Sequence, residues 1–219
     1  MTAPRVFTRI NHLLLSLIAV TTIGGVVRIP PDAQLPVHFD LFGQPDRFAG
    51  RDEALVIMPA IALAMLVLFW AIGRFASPAR LAGGRHVVEA ILPVMLAMFL
   101  ALQLVLVFQF DFAIPRVVAW SIAALLIVLG NVLPKSQPNR YGGIRLRSTL
   151  SDPANWAATH RFTGLAMMVA GGLLVILTLV AGEAPILIGA VLIAVLLPLV
   201  LGVAYSWRLA RRAKPQDWS

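Results

Sequence analysis

Six apolar runs, each close to the length of a membrane crossing, set the terms for this chain. They occupy residues 10–27, 54–73, 87–109, 116–133, 162–182 and 186–206. A helix needs roughly 20 mostly apolar residues to cross the hydrocarbon of a bilayer. It also satisfies its own backbone there, where no water can. The runs therefore predict an all-α integral membrane protein with six transmembrane helices. Composition agrees, with 59% hydrophobic and only 13% charged residues, against about 25% charged in an ordinary soluble domain. Arg5 and Arg9 precede the first run as in a signal peptide, but five further spans favour a retained helix.

The cations are unevenly distributed between the runs. Of 18 Lys and Arg, four (Arg28, Arg47, Arg51 and Arg116) fall on one side of the predicted bundle. The N-terminal tail, the 74–86 and 134–161 loops and the C-terminal tail hold the rest. Cytoplasmic loops collect Lys and Arg, so both termini are predicted in the cytoplasm. The net charge of +8 then reads as topogenic, and no direct nucleic-acid binding is expected. With no cysteine, disulfides, cysteine-zinc sites and thiol catalysis are excluded. In chain order, residues 1–73 form a first helical hairpin with an extracytoplasmic cap at 28–53. Residues 74–219 form a four-helix region with a cytoplasmic loop at 134–161.

Both polar segments carry structural signals. In the cap, Val37, Phe39 and Leu41 alternate with His38 and Asp40, a strand pattern. Gly43-Gln44-Pro45-Asp46 supply turn residues. His38, Asp40 and Asp46 lack a recognisable metal-ligand spacing, so a hydrogen-bonded strand and turn is expected, with no metal. In the loop, Ser136–Asn139 and Tyr141–Gly143 read as turns, and Ser151 or Asp152 followed by Pro153 reads as a helix start. Trp156 and His160 follow one turn apart on one face, with Trp156 expected at headgroup depth.

Glu89 is the one acid inside a predicted span, which makes it a functional candidate that needs a partner. Arg140 and Arg145 are its nearest cations across the bundle, and pairing with them, contact with water and ligand binding all remain open. Gly164 and Gly171 share a helical face and are expected to let helices approach closely.

These segments resemble known patterns. Pro36–Arg47, PVHFDLFGQPDR, is similar to a P-x-H-[FW]-x-x-x-G-x-x-D-[RK] pattern of a small bacterial membrane domain of unknown function. That pattern matches His38, Gly43, Asp46 and Arg47, with Asp40 inside it. Residues 130–164, GNVLPKSQPNRYGGIR through TLSDPANWAATHRFTG, resemble the signature of the SdpI family of bacterial membrane proteins. On this chain the signature falls on Asn139, Arg140, Gly143, Arg145, Thr149, Trp156 and His160. Arg147 departs from it, standing where many members have a small or Pro-containing turn. The family's namesake is an immunity protein against a secreted toxin peptide that also draws a repressor to the membrane. The resemblance therefore implies a multi-pass protein of the bacterial inner membrane, with the lipid bilayer, a secreted antimicrobial peptide and a cytoplasmic repressor as partners.

Three functional classes compete on the residues alone. A binding protein suits an ordered cap and close-packed helices. A transporter or channel would want polar groups at the midplane, where Gln103, Ser121 and Thr178 are the main ones. An intramembrane enzyme would need a Ser–His pair, an HExxH motif or paired carboxylates, and none occurs. Binding is favoured, no enzyme is expected, and no cofactor is implied.

Overall fold

The computed structural model describes residues 5–76, 83–109, 114–139 and 142–213. Helix α1 runs Arg9–Arg28. Strands β1 (Gln34–Phe39) and β2 (Pro45–Gly50) lead into α2 (Arg51–Phe75). Then come α3 (Arg85–Phe108), α4 (Ile114–Val132), a 3-10 turn at Leu133–Lys135 and the one-turn helix α5 (Arg147–Leu150). Helices α6 (Pro153–Val180) and α7 (Ala184–Ala213) complete the chain. All helices except α5 are long and apolar enough to cross a membrane, giving six spans among the described residues. Large apolar side chains point outward along them, such as Val20, Leu173 and Ile193, each more than half exposed. In a bilayer lipid tails cover such a belt.

The fifth span starts earlier than its apolar run, because the cap chemistry of the preceding segment continues straight into it. Asp152 accepts a hydrogen bond from Ala154 N at 2.8 Å, and Pro153 takes the first helical position. One continuous helix thus joins the polar loop to the membrane span.

Packing groups the helices three and three. Ile18 of α1, Ala62 and Phe69 of α2, and Leu92, Leu96 and Phe99 of α3 share one buried cluster. Ala119, Ala123 and Leu126 of α4, Met167 and Leu174 of α6, and Ala194 of α7 share another. Polar ties reinforce each group. Gln103, fully buried on α3, donates from Nε2 to Thr22 Oγ1 at 2.9 Å and to Leu55 O at 3.0 Å. Trp120 Nε1 on α4 donates to Thr178 Oγ1 on α6 at 2.7 Å. The two groups meet along α3 and α4.

At one end, β1 and β2 form an antiparallel hairpin packed over the helix ends through Leu35, Ala49, Leu55 and Val107. Here the structure differs from the sequence pattern. Its turn lies at Asp40–Gln44, not at Gly43–Asp46, and Pro45 and Asp46 begin a second strand that the alternation rule did not show. Asp40 explains the shift, since Oδ1 accepts from Phe42 N and Gln44 N, both at 2.8 Å, closing the turn early. Gly43 takes φ +77° in that turn, a left-handed conformation natural to glycine. His38 Nδ1 and Asp46 Oδ1 then meet across the hairpin at 2.5 Å. Beneath, Arg51 Nη1 donates to Val26 O and Ile29 O at 3.2 and 3.1 Å, completing the C-terminal end of α1.

Gly164 and Gly171 face α4, as their spacing predicts. A methyl on Gly164 would lie 2.5 Å from Gly130 O, and one on Gly171 would lie 2.8 Å from Ala123 O. Gly172 has nothing within 4 Å. Gly164→Ala must push backbone aside and is expected to cost about 1–3 kcal/mol. Gly172→Ala should be neutral or stabilising by up to about 1 kcal/mol. Thermal unfolding of both variants in detergent checks the contrast.

Candidate functional site

The end of the bundle opposite the hairpin holds the polar loop, the start of α3 and the end of α7. Its centre is His160, which has no exposed surface. Trp156, one turn earlier, stacks on it with ring centroids 4.0 Å apart and planes 18° from parallel. Two bonds fix the histidine's state. Ile144 N donates to Nε2 at 3.0 Å, and Nδ1 lies 2.7 Å from Trp156 O. A backbone N–H only donates and a carbonyl only accepts, so the ring is neutral and carries its proton on Nδ1.

Gly143 makes this contact possible. Its φ is +103°, and a side-chain carbon there would fall onto His160 Nε2. The loop backbone therefore runs directly over the imidazole. Trp156 holds the loop from the other side, donating from Nε1 to Ser136 O at 3.0 Å. It is buried inside the protein and does not face headgroups, because the loop covers it and supplies its acceptor.

Around this pair the irregular backbone finds side-chain partners. Thr149, fully buried, donates to Ile144 O at 2.7 Å and accepts from Leu146 N at 3.0 Å. Asn139 donates to Gln137 O at 2.8 Å and accepts from Gly142 N at 2.9 Å. Gln137 N reaches Gly83 O before α3 at 2.9 Å, tying the loop to the other helix group. A second network joins α6 to α7. Asn155 Oδ1 accepts from Thr159 Oγ1 and Ser206 Oγ, both at 2.9 Å, and Asn155 Nδ2 donates to Ser206 O at 3.1 Å. Ser206 Oγ is also 2.7 Å from Ser148 Oγ of α5.

The signature residues thus separate into two sets. Asn139, Thr149, Trp156 and His160 are buried in one arrangement, and Gly143 lies over it with its own surface exposed. Arg145 is exposed, and Arg140 lies outside the described residues, as does Tyr141. Glu89 has partners that the cross-bundle expectation did not name. Arg85, four residues earlier on α3, donates from Nε to its Oε1 at 2.8 Å, and Arg5 N donates to the same oxygen at 2.9 Å. An i,i+4 neighbour needs no change of helix to reach it, and reasoning across the bundle passed it over. The cap residues His38, Asp40, Gly43, Asp46 and Arg47 lie at the far end and share no contact with this cluster.

Sequence reasoning missed Ser136, Ser148 and Ser206. Asn155 and Thr159, one turn apart at the start of a span, were a usable signal, since such groups need partners on a neighbouring helix. Thr163 continues that face, and its buried hydroxyl has no partner among the described residues. Gly202 of α7 leaves room for it, because a methyl there would collide with Thr163 Oγ1.

His160→Leu should leave Ile144 N–H buried without an acceptor, at a cost of about 1–3 kcal/mol. Arg147→Gln, on the exposed side of α5, should stay within about 0.5 kcal/mol of the parent. Unfolding midpoints of the two variants in the same detergent test this difference.

Comparison with known proteins meets this end of the molecule. Residues 135–205 match the SdpI/YfhL protein family. That stretch holds most of the polar loop, α5, the fifth span and most of the sixth. The immunity protein SdpI of Bacillus subtilis (strain 168) is 27% identical over 103 residues, covering 47% of this chain and 49% of that protein. The match thus spans about half the length of the curated relative. No solved structure matches the chain. Through the loop and helices of residues 135–205, this multi-pass membrane protein is similar to the SdpI family.

Proposed function

We propose that the protein is a membrane immunity protein of the bacterial inner membrane that binds a secreted antimicrobial peptide and so protects the cell that carries it. The observation that carries this reading is the likeness to the immunity protein SdpI, together with the family match over the buried loop arrangement. A well-ordered helical bundle with committed polar groups suits binding better than catalysis. The uneven cation count supports an orientation with the loop and both termini in the cytoplasm and the hairpin outside. A secreted peptide would then meet the hairpin end first. The opposite, cation-rich end would be open to a cytoplasmic repressor, giving a route for signalling.

Survival of a peptide-sensitive bacterium tests the immunity reading directly. Cells expressing this chain should survive a dose that kills cells with an empty vector, and equal killing would overturn it. Orientation has its own check in this cysteine-free chain. Single cysteines at Ala33 and Gln137 are separated by three spans, so impermeant thiol reagents should label only Ala33→Cys in intact cells. Labelling of both from outside would sink the proposed arrangement.

A further inference from the structure

Two cavities adjoin where α3 ends against the hairpin. The larger is about 380 Å³. Leu35 and Val37 of β1 roof it, and Ile57 of α2, Leu102 and Val105 of α3 and Val118 of α4 wall it. Its size and apolar lining fall within the range of small-ligand pockets, roughly 300–1,000 Å³. The smaller cavity, about 180 Å³, is lined by Arg28, Pro30, Ala33 and Phe108 among others. Gln109 lines both. It is the C-cap of α3 and takes φ +49°, an uncommon conformation for a residue with a side chain.

The two cavities differ in chemistry. The larger offers hydrocarbon. The smaller offers a guanidinium: Arg28 lies 5.5 Å over the Phe108 ring and has no ion pair among the described residues. Nearby Arg51, by contrast, is already engaged by Asp52 and by the α1 carbonyls. A purely apolar ligand would leave Arg28 unused. A head group alone would leave the larger cavity unfilled.

We propose that the adjoining cavities bind an anionic acyl chain, with the hydrocarbon under β1 and its carboxylate or phosphate against Arg28 and Gln109. A free fatty acid and one chain of an anionic phospholipid share that chemistry. Lipid merely coating the outer helix faces would bind alike whatever stands at position 28, whereas the head-group preference of this site must depend on Arg28.

The test uses the full chain purified in detergent, titrated with a fluorescent polyene fatty acid and with the alcohol of the same chain. Binding should saturate, and the acid should bind about tenfold more tightly than the alcohol, the size of effect one charge-assisted hydrogen bond supplies. Arg28→Gln, at an exposed position, should abolish that difference while leaving the alcohol unaffected. Val105→Phe and Val118→Phe fill the larger cavity from different helices, and each should weaken both probes at least tenfold without loss of fold. Equal affinity for acid and alcohol in the parent protein overturns the proposal. So does unchanged binding in a folded cavity-filling variant. Mass spectrometry of co-purifying lipid separates the two sources, free acid or phospholipid. Absence of any anionic lipid enriched over the Arg28→Gln protein counts against both.

Discussion

An irregular backbone at the edge of a bilayer must find a partner for every buried N–H and C=O, and the loop before α6 depends on that demand being met. The bond from Ile144 N to His160 Nε2 is its central solution. It requires a neutral imidazole with the proton on Nδ1, and Trp156 O provides the acceptor that holds that tautomer. It also requires that no side chain stand between loop and ring, which places glycine at position 143. Thr149 and Asn139 then close the remaining turns. Histidine, tryptophan, glycine, threonine and asparagine are one structural unit here, since each satisfies or permits a bond made by another.

That unit also sets how the two helix groups meet. Trp156 is anchored to Ser136 just after α4, and Gln137 is anchored to Gly83 just before α3. Below it, α4 and α6 approach until Gly164 touches Gly130 backbone. Without a hydrophobic driving force between helices in lipid, such contact relies on dispersion and hydrogen bonds. Glycine on the shared face maximises the first, and the loop supplies the second. The hairpin end uses another device, laying a two-stranded sheet over the helix ends and fixing α1 with the Arg51 guanidinium.

The sequence revealed what depends on local pattern and concealed what depends on pairing. Six spans were legible because hydropathy alone selects them, and Asp152-Pro153 announced a helix start through cap chemistry. The glycine face of α6 was legible from its spacing. The second strand was not, because Pro45–Gly50 alternates poorly and its register comes from pairing with β1. In the loop, the motif spacing marked Gly143, Thr149, Trp156 and His160 together. Their partners are carbonyls at 136 and 144 and amides at 144 and 146, backbone atoms that carry little or no motif. Arg85 as a partner of Glu89 was missed for a related reason, since charge complementarity nominated Arg140 and Arg145 across the bundle while helical geometry had already provided an i,i+4 neighbour.

The polar residues at depth bear on the choice between binding and conduction. A pathway through hydrocarbon needs groups free to exchange partners with a passing solute. Ser121 Oγ is bonded to Val117 O within its own helix. Thr178 accepts from Trp120 and donates to Val175 O. Gln103 spends both described donor bonds joining three helices and keeps only Oε1 without a partner. These groups are fastenings between and within helices, and moving them would cost the contacts that hold each group together. The accessible chemistry lies instead at the two ends, in the cavities beneath the hairpin and on the cation-rich loop face. A protein so arranged is suited to capturing a ligand at a membrane surface, with the bundle as the rigid support.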